Sequence, residues 1–199
     1  MLKVHSWSDS HIVSAAIAKD EAIDCKLYFE SIAFFNRLLA DSPGEFSLCA
    51  YNNDLGRDFR FPEAELLLEK IKSNVIEYVD RFYGLKAGQD DLVLLHQFIC
   101  AVFPGFSQPQ YEPHDHRASD VVATYYLGIG RNEGLVRIWN PESAEGENIV
   151  LSPKSGELVL VPGNLPHDIL EFRPSEPFVS VETHFSVRGF PRLALPLGR

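Results

Sequence analysis

The sequence predicts a mainly β fold with flanking helices: a sandwich or barrel of jelly-roll type preceded by an N-terminal helical segment. Three observations predict it. Residues 92 to 187 break into eight short apolar runs separated by Gly- and Pro-rich punctuation, as an antiparallel sandwich or barrel requires. Residues 1 to 90 carry mostly helical periodicity instead. The 199 residues, 45% hydrophobic and 12% aromatic, suffice for one sizeable core, so the length prior gives one domain. Within it we expect a helix-rich segment 1–90 packing on a β-helix core 91–187, followed by an extended tail 188–199.

Asp24 to Leu39 carries Leu27, Phe29, Ile32, Phe35, Leu38 and Leu39 close to helical spacing and stops at the turn cluster Asp41-Ser42-Pro43-Gly44. Phe46, Leu48 and Ala50 alternate with Ser47 and Cys49, which suggests a short strand. Pro62 opens the clearest helix. Leu68, Ile71, Val75, Val79 and Phe82 form its apolar stripe, and Gly84 suits the position just past its end. Such a helix covers a sheet. The expected strands are Leu92 to Phe103, Gln108 to His116, Val121 to Gly128, Leu135 to Trp139, Glu147 to Leu151, Glu157 to Val161, His167 to Phe172 and Phe178 to Val187. The closing segment holds Pro191 and Pro196 and reads as a tail lying over the surface or reaching the second subunit of a homodimer.

Composition excludes some partners. With 18 basic against 28 acidic residues and a formal charge of -10, a basic face for nucleic acid or anionic membrane is not expected. A small-molecule or peptide substrate fits better. Cys25, Cys49 and Cys100 are odd in number, scattered and without C-x-x-C spacing, so three reduced thiols are expected. The first residues have no apolar signal region, and no run approaches the roughly 18 apolar residues of a membrane span. A soluble, cytoplasmic protein is the expectation.

Two stretches carry the chemistry. Pro113-His114-Asp115-His116-Arg117 places two imidazoles at i and i+2, which an extended backbone turns to one side. Gly156 to His167 is an apolar strand closed by a turn that delivers a third imidazole. Three nitrogen donors with coordination positions left open are what a catalytic transition metal needs. Asp115 is the nearest carboxylate. Alternation turns it away from the side of His114 and His116, unless a bend lets it replace one of them as a ligand.

His114-x-His116, the strand Val121 to Leu127, Gly134 to Pro141, Gly156 to Pro162 and Leu165-Pro166-His167 together resemble the 2-oxoglutarate/Fe(II)-dependent oxygenases, in particular their bacterial and phage H-x-H branch. The resemblance covers roughly residues 93 to 187. It implies a double-stranded β-helix (jelly roll, cupin-like) with the metal at its open end, His114 and His116 as the proximal metal ligands, His167 as the distal one, and Fe(II) and 2-oxoglutarate as the cofactor and cosubstrate. Gly156 to His167 is also similar to the second cupin motif, and His114-x-His116 with Asp120 to the first, with Asp in place of Glu.

The chain departs from the oxygenase pattern on the last strand. The family anchors the distal carboxylate of 2-oxoglutarate with an Arg two residues before a Ser, and aligning Ser180 there puts Phe178 in the Arg position. Arg173 and Arg137 are the substitute cations to consider, because a buried carboxylate without a partner costs several kcal/mol. Tyr111, just ahead of the ligands, is placed to hydrogen-bond a bound acid. On the same face as Ser180 follow Glu182 and His184, where Glu182 is a substitute ligand, an orienting group or an ion-pair partner. Three functions compete: an Fe(II), 2-oxoglutarate-dependent hydroxylase, a cupin-like metalloenzyme that binds its substrate directly, and a non-catalytic jelly-roll binding module.

Overall fold

The computed structural model of the chain describes residues 3–7, 10–17, 21–41, 49–51, 62–105, 112–129 and 135–191. Among these the strands are β1 (Lys3–Trp7), β2 (Ser10–Ala16), β3 (Cys49–Tyr51), β4 (Leu92–Val102), β5 (Val121–Gly128), β6 (Val136–Trp139), β7 (Asn148–Leu151), β8 (Glu157–Pro162), β9 (His167–Ile169) and β10 (Phe178–Val187). Two helices, α1 (Glu21–Asp41) and α2 (Pro62–Tyr83), precede the central strands. Every strand pairing among the described residues is antiparallel. Seven strands form one sheet in the order β1-β2-β8-β5-β10-β4-β3, and three form a smaller sheet, β7-β6-β9. This is the expected jelly-roll class, mainly β with two helices.

The two sheets enclose one core and the helices make a second. Between the sheets lie Ile12, Val122, Tyr126, Ile138, Val161 and Phe178. On the outer face of the large sheet, Leu27 and Phe35 of α1 and Leu67, Ile71, Val75 and Val79 of α2 meet Ile99, Val121, Leu160 and Phe185. The alternation of each central strand therefore serves two layers: in β10, Val179, Val181 and Phe185 face the helices, while Ser180 and Glu182 face the space between the sheets. Gly84 stands just past α2 with a φ of 66°, the left-handed conformation that ends helices and favours glycine.

Several expectations shift. The N-terminal segment is less helical than its periodicity suggests: β1 pairs with β2, and β2 joins the large sheet through β8, with Val13 opposite Leu160. In α1, Leu27, Ser31 and Phe35 share the buried face, four residues apart, which turns Phe29 outward to 65% exposure. The short strand before residue 52 occupies Cys49–Tyr51, and 42–48 lie outside the described residues. So do 106–111, with the first four residues of the strand expected from Gln108 to His116, and the tail from 192 onward; the described part of that expected strand, 112–116, holds only the isolated bridge at His114. Cys25 is free and exposed, whereas Cys100 is disulfide-bonded, which corrects the expectation of three reduced thiols; the register sets Cys49 opposite Cys100. No helix among the described residues is long and apolar enough to cross a membrane.

The packing of α2 makes a direct prediction. Ile71→Ala, at a fully buried position, is expected to cost about 2–5 kcal/mol in a denaturant titration. Leu66→Ala, five residues earlier and on the opposite side of the helix at 53% exposure, should stay within about 0.5 kcal/mol of the parent chain.

Candidate metal centre

His114 and His167 are brought side by side by the backbone. The His114 amide donates to the His167 carbonyl (3.0 Å) and the His167 amide donates to the His114 carbonyl (2.8 Å), an isolated antiparallel bridge. Residues directly opposite in such a pair project to the same face. Two residues on, the His116 amide donates to the Gly163 carbonyl (2.7 Å), and the Gly163 amide to the Asp120 carbonyl (3.1 Å). The loop carrying His116 is thereby laid against the turn between β8 and β9. Gly163 is required for this approach, since a Cβ there would stand 2.1 Å from the Ser119 carbonyl oxygen and 2.8 Å from that of His116.

The three rings converge. Their centroids are 5.0–5.1 Å apart, and one nitrogen from each lies within 4.8 Å of the others. The opposite nitrogens are tied back: Nδ1 of His114 donates to the Glu112 carbonyl (3.3 Å) and Nδ1 of His167 to the Leu165 carbonyl (3.0 Å). A carbonyl only accepts, so both rings carry the proton on Nδ1 and present the Nε2 lone pair. Metal-binding imidazoles are set up this way. Nε2 of His116 is buried and has no hydrogen-bond partner, a cost that an ion would remove. The donor set fits a divalent transition metal.

A second cluster shares His116. Glu182 and His184, from β10, form with His116 another set of ligand atoms within 4.8 Å of one another. His184 is buried, with Ser119 Oγ at 3.2 Å from Nδ1 and Glu182 Oε1 at 2.7 Å from Nε2. Glu182 Oε1 also stands 3.7 Å from His116 Nε2.

The electrostatics favour ligand-ready states. Burial pushes the His116 imidazole down to about 4, helped by His184, His167 and His114 and opposed by Glu182. Burial likewise lowers His167. For Glu182, burial pushes the carboxyl upward, but the His184 hydrogen bond and the neighbouring imidazoles outweigh it and bring it to about 2. At neutral pH His116 and His167 are neutral and Glu182 is ionised.

The cluster opens on a cavity of about 260 Å³ between the sheets. Its wall is largely apolar, with Phe98, Val122, Ile138, Val159 and Ile169, and its polar groups beyond the histidines are Thr124, Tyr126, Ser180 and Glu182. Among the described residues, no Lys or Arg lines it.

Of the remaining candidates among the described residues, Asp115, Arg137 and Arg173 do not line the cavity. Asp115 is held by Arg117, whose Nε donates to Oδ2 at 2.7 Å, and belongs to neither cluster. Arg137 is opposite Asp168 across the β6–β9 pair; its Nε donates to Asp168 Oδ1 at 3.0 Å and its guanidinium lies 4.5 Å from the Trp139 ring centre. Arg173 is exposed. Ser180 lines the cavity, and Tyr111 is outside the described residues. Asp120 accepts from the Val187 amide (2.8 Å) and Ser186 Oγ (2.9 Å), so it fastens the end of β10. The Glu182–His184 pair was legible only as an alternation on the last strand; nothing in the sequence ties it to Ser119.

Solved structures share this architecture. AviO1 from Streptomyces viridochromogenes Tue57 superposes with a TM-score of 0.66 over 90% of this chain and 91% of its own, at 12% identity. A Pseudomonas putida prolyl-4-hydroxylase does so with a TM-score of 0.58 over 89% and 93%, at 20% identity. The epimerase SnoN, in complex with Fe3+, alpha ketoglutarate and nogalamycin RO, gives 0.62 over 88% and 78%, at 11% identity. The fold is that of 2-oxoglutarate/Fe(II) oxygenases. No protein-family model and no curated protein sequence matches the chain.

Two predictions follow from this geometry. Gly163→Ala forces the His116 loop away and is expected to cost on the order of 1–3 kcal/mol and to weaken Co(II) binding, read by denaturation and by titration of the apoprotein. The second concerns pH. An unfolded His takes its proton near 6.5, while folded His116 takes it only near 4, so between these values the unfolded chain binds more protons and stability falls as pH falls. Glu182 adds a loss of the same sign as pH drops from 4.5 toward 2. The urea midpoint of the apoprotein should decline from pH 6.5 to 4, and His116→Gln should flatten that decline; an unchanged slope in the variant would remove His116 as its source.

Proposed function

We propose that this protein is a mononuclear non-haem Fe(II) oxygenase of the hydroxylase type, with 2-oxoglutarate as cosubstrate, acting on a small molecule or a peptide side chain. The observation that carries the reading is the convergence of one ring nitrogen from each of His114, His116 and His167 to within 4.8 Å of one another, on the wall of the cavity. The shared fold of the 2-oxoglutarate/Fe(II) oxygenases supports it. When bound, Fe(II) with its cosubstrate and O2 supplies oxidation of a C–H bond.

The chain's own contribution is binding, orientation and dryness. His114 and His167, steered by their Nδ1 bonds, and His116, relieved of its unpartnered nitrogen, hold the ion. The apolar wall excludes water and holds the carbon skeleton of the substrate, while Thr124, Ser180 and Tyr126 offer hydroxyls to its polar groups. A cavity of about 260 Å³ admits a small molecule or one side chain of a peptide. The negative charge of the chain disfavours nucleic acid as a substrate.

One observation favours a second reading, a cupin-like metalloenzyme that binds its substrate directly. The distal carboxylate of 2-oxoglutarate needs a cation or several donors. Phe178 stands in the Arg position, Arg137 is committed to Asp168, and the described residues around the cavity supply Glu182 instead.

Thermal denaturation under anaerobic conditions separates the readings. Fe(II) should raise the melting temperature of the parent chain and not of His116→Ala, a further rise with 2-oxoglutarate should follow, and admitting O2 should then release succinate. A response to Fe(II) with none to 2-oxoglutarate selects direct substrate binding. Absence of any metal response overturns both.

A further inference from the structure

We propose that the carboxylate ligand of the metal comes from the last strand: Glu182 coordinates the ion beside His116, and His184 is the residue that positions it. The proposal rests on the metal-binding reading above and adds to it the identity of the oxygen donor, for which Asp115 is the nearest residue in sequence.

Three observations carry it. First, the register of β10 sets Glu182 between Thr124 of β5 and Phe98 of β4, and all three line the cavity. Glu182 thus projects into the metal cavity from a central strand, where its backbone is fixed by pairing on both sides. Second, Oε1 stands 3.7 Å from the unpartnered Nε2 of His116. Metal bonds to nitrogen and carboxylate oxygen of about 2.0–2.2 Å allow two ligands of one ion to stand up to about 4.4 Å apart, so one ion can join His116 and Glu182; Glu182 falls outside the set that His116 forms with His114 and His167, and the carboxylate has to swing toward those two rings to complete a common site. Asp115, by contrast, is engaged by Arg117.

Third, the roles within the inner cluster can be assigned. Ser119 Oγ lies 3.2 Å from Nδ1 of His184, and Nε2 lies 2.7 Å from Glu182 Oε1. An ionised carboxylate only accepts, so Nε2–H of His184 donates to it and Nδ1 accepts from the Ser119 hydroxyl. Both nitrogens of His184 are then occupied, and neither has a lone pair to give a metal. His184 is an orienting group whose buried ring holds one carboxylate oxygen on the His116 side, as outer histidine and carboxylate partners do in metal sites. Ser119 is in turn part of the His116 loop, its amide donating to the His116 carbonyl at 2.7 Å. The chain from Ser119 through His184 to Glu182 thus keeps the oxygen donor in register with the nitrogen donor.

The test is isothermal titration of the apoprotein with Co(II), joined to the visible absorption of the Co(II) form, which reports the ligand set independently of turnover. Glu182→Gln keeps the size of the side chain and an acceptor for His184, so its fold is expected to survive. We expect it to bind Co(II) at least tenfold more weakly and with a changed ligand-field spectrum. His184→Phe should lose roughly ten- to a hundredfold in affinity, and His184→Gln, which restores a donor, should recover part of the loss and the parental spectrum. Asp115→Asn should match the parent chain in both readouts. Parental affinity and spectrum in Glu182→Gln, with His116→Ala impaired, would overturn the assignment of Glu182 and leave the histidine site standing. Failure of the parent chain to bind Co(II), or parental binding by His116→Ala, would instead overturn the metal reading itself.

Discussion

The site depends on one backbone exchange: the paired amide-to-carbonyl bonds between His114 and His167. These residues are 53 positions apart in the chain, and their rings offer no attraction of their own that would hold them together. Two hydrogen bonds on opposed residues do it geometrically, because the pleat then has no choice but to send both rings to one side. The third ring follows from the His116–Gly163 bond and from the absence of a side chain at Gly163. Backbone pairing makes the cluster, and the chemistry of the rings exploits it.

The cost of gathering so many polar groups is distributed. Each imidazole in the site has its outer nitrogen satisfied or its inner one waiting, and the charge of Glu182 is met by His184. The surrounding wall is apolar, which strengthens every electrostatic interaction inside it. The same wall leaves Glu182 as the single formally charged side chain lining the cavity among the described residues, so whatever enters meets a hydrophobic box with one acidic corner. This disposition distinguishes the chain from what its resemblance implies, where a cation on the last strand receives a dicarboxylate.

Much of the fold was legible in the sequence because strand signals here are strong and local. The runs at Val121 to Gly128, Glu157 to Val161 and Phe178 to Val187 are β-branched, bounded by turn residues, and found as strands at nearly those limits. The three histidines whose rings converge stood out in the sequence through i, i+2 spacing and the strand-turn-His pattern. The N-terminal strands were missed because Lys3–Trp7 alternates weakly and is mostly exposed, so pairing with a distant partner, not local preference, decides its state. Phe29 was misread because a helix of 21 residues with many apolar positions does not declare which of two faces is buried. The coupling of Ser119, His184 and Glu182 was invisible because it spans 65 residues and arises from tertiary register alone.

Asp168 gives the opposite face of β9 its own significance. It neighbours His167 but points outward by alternation, where it is fully buried beneath Arg137 and Trp139. A strand of three residues has few ladder bonds to hold its alignment, and a one-residue slip would exchange the two faces, placing a carboxylate in the cavity and an imidazole beneath the guanidinium. Such a slip would strand a buried charge, at a cost of several kcal/mol. The ion pair on the back of the strand therefore serves as a latch against misalignment, and the presentation of the distal histidine is guarded by residues that never touch what the cavity holds.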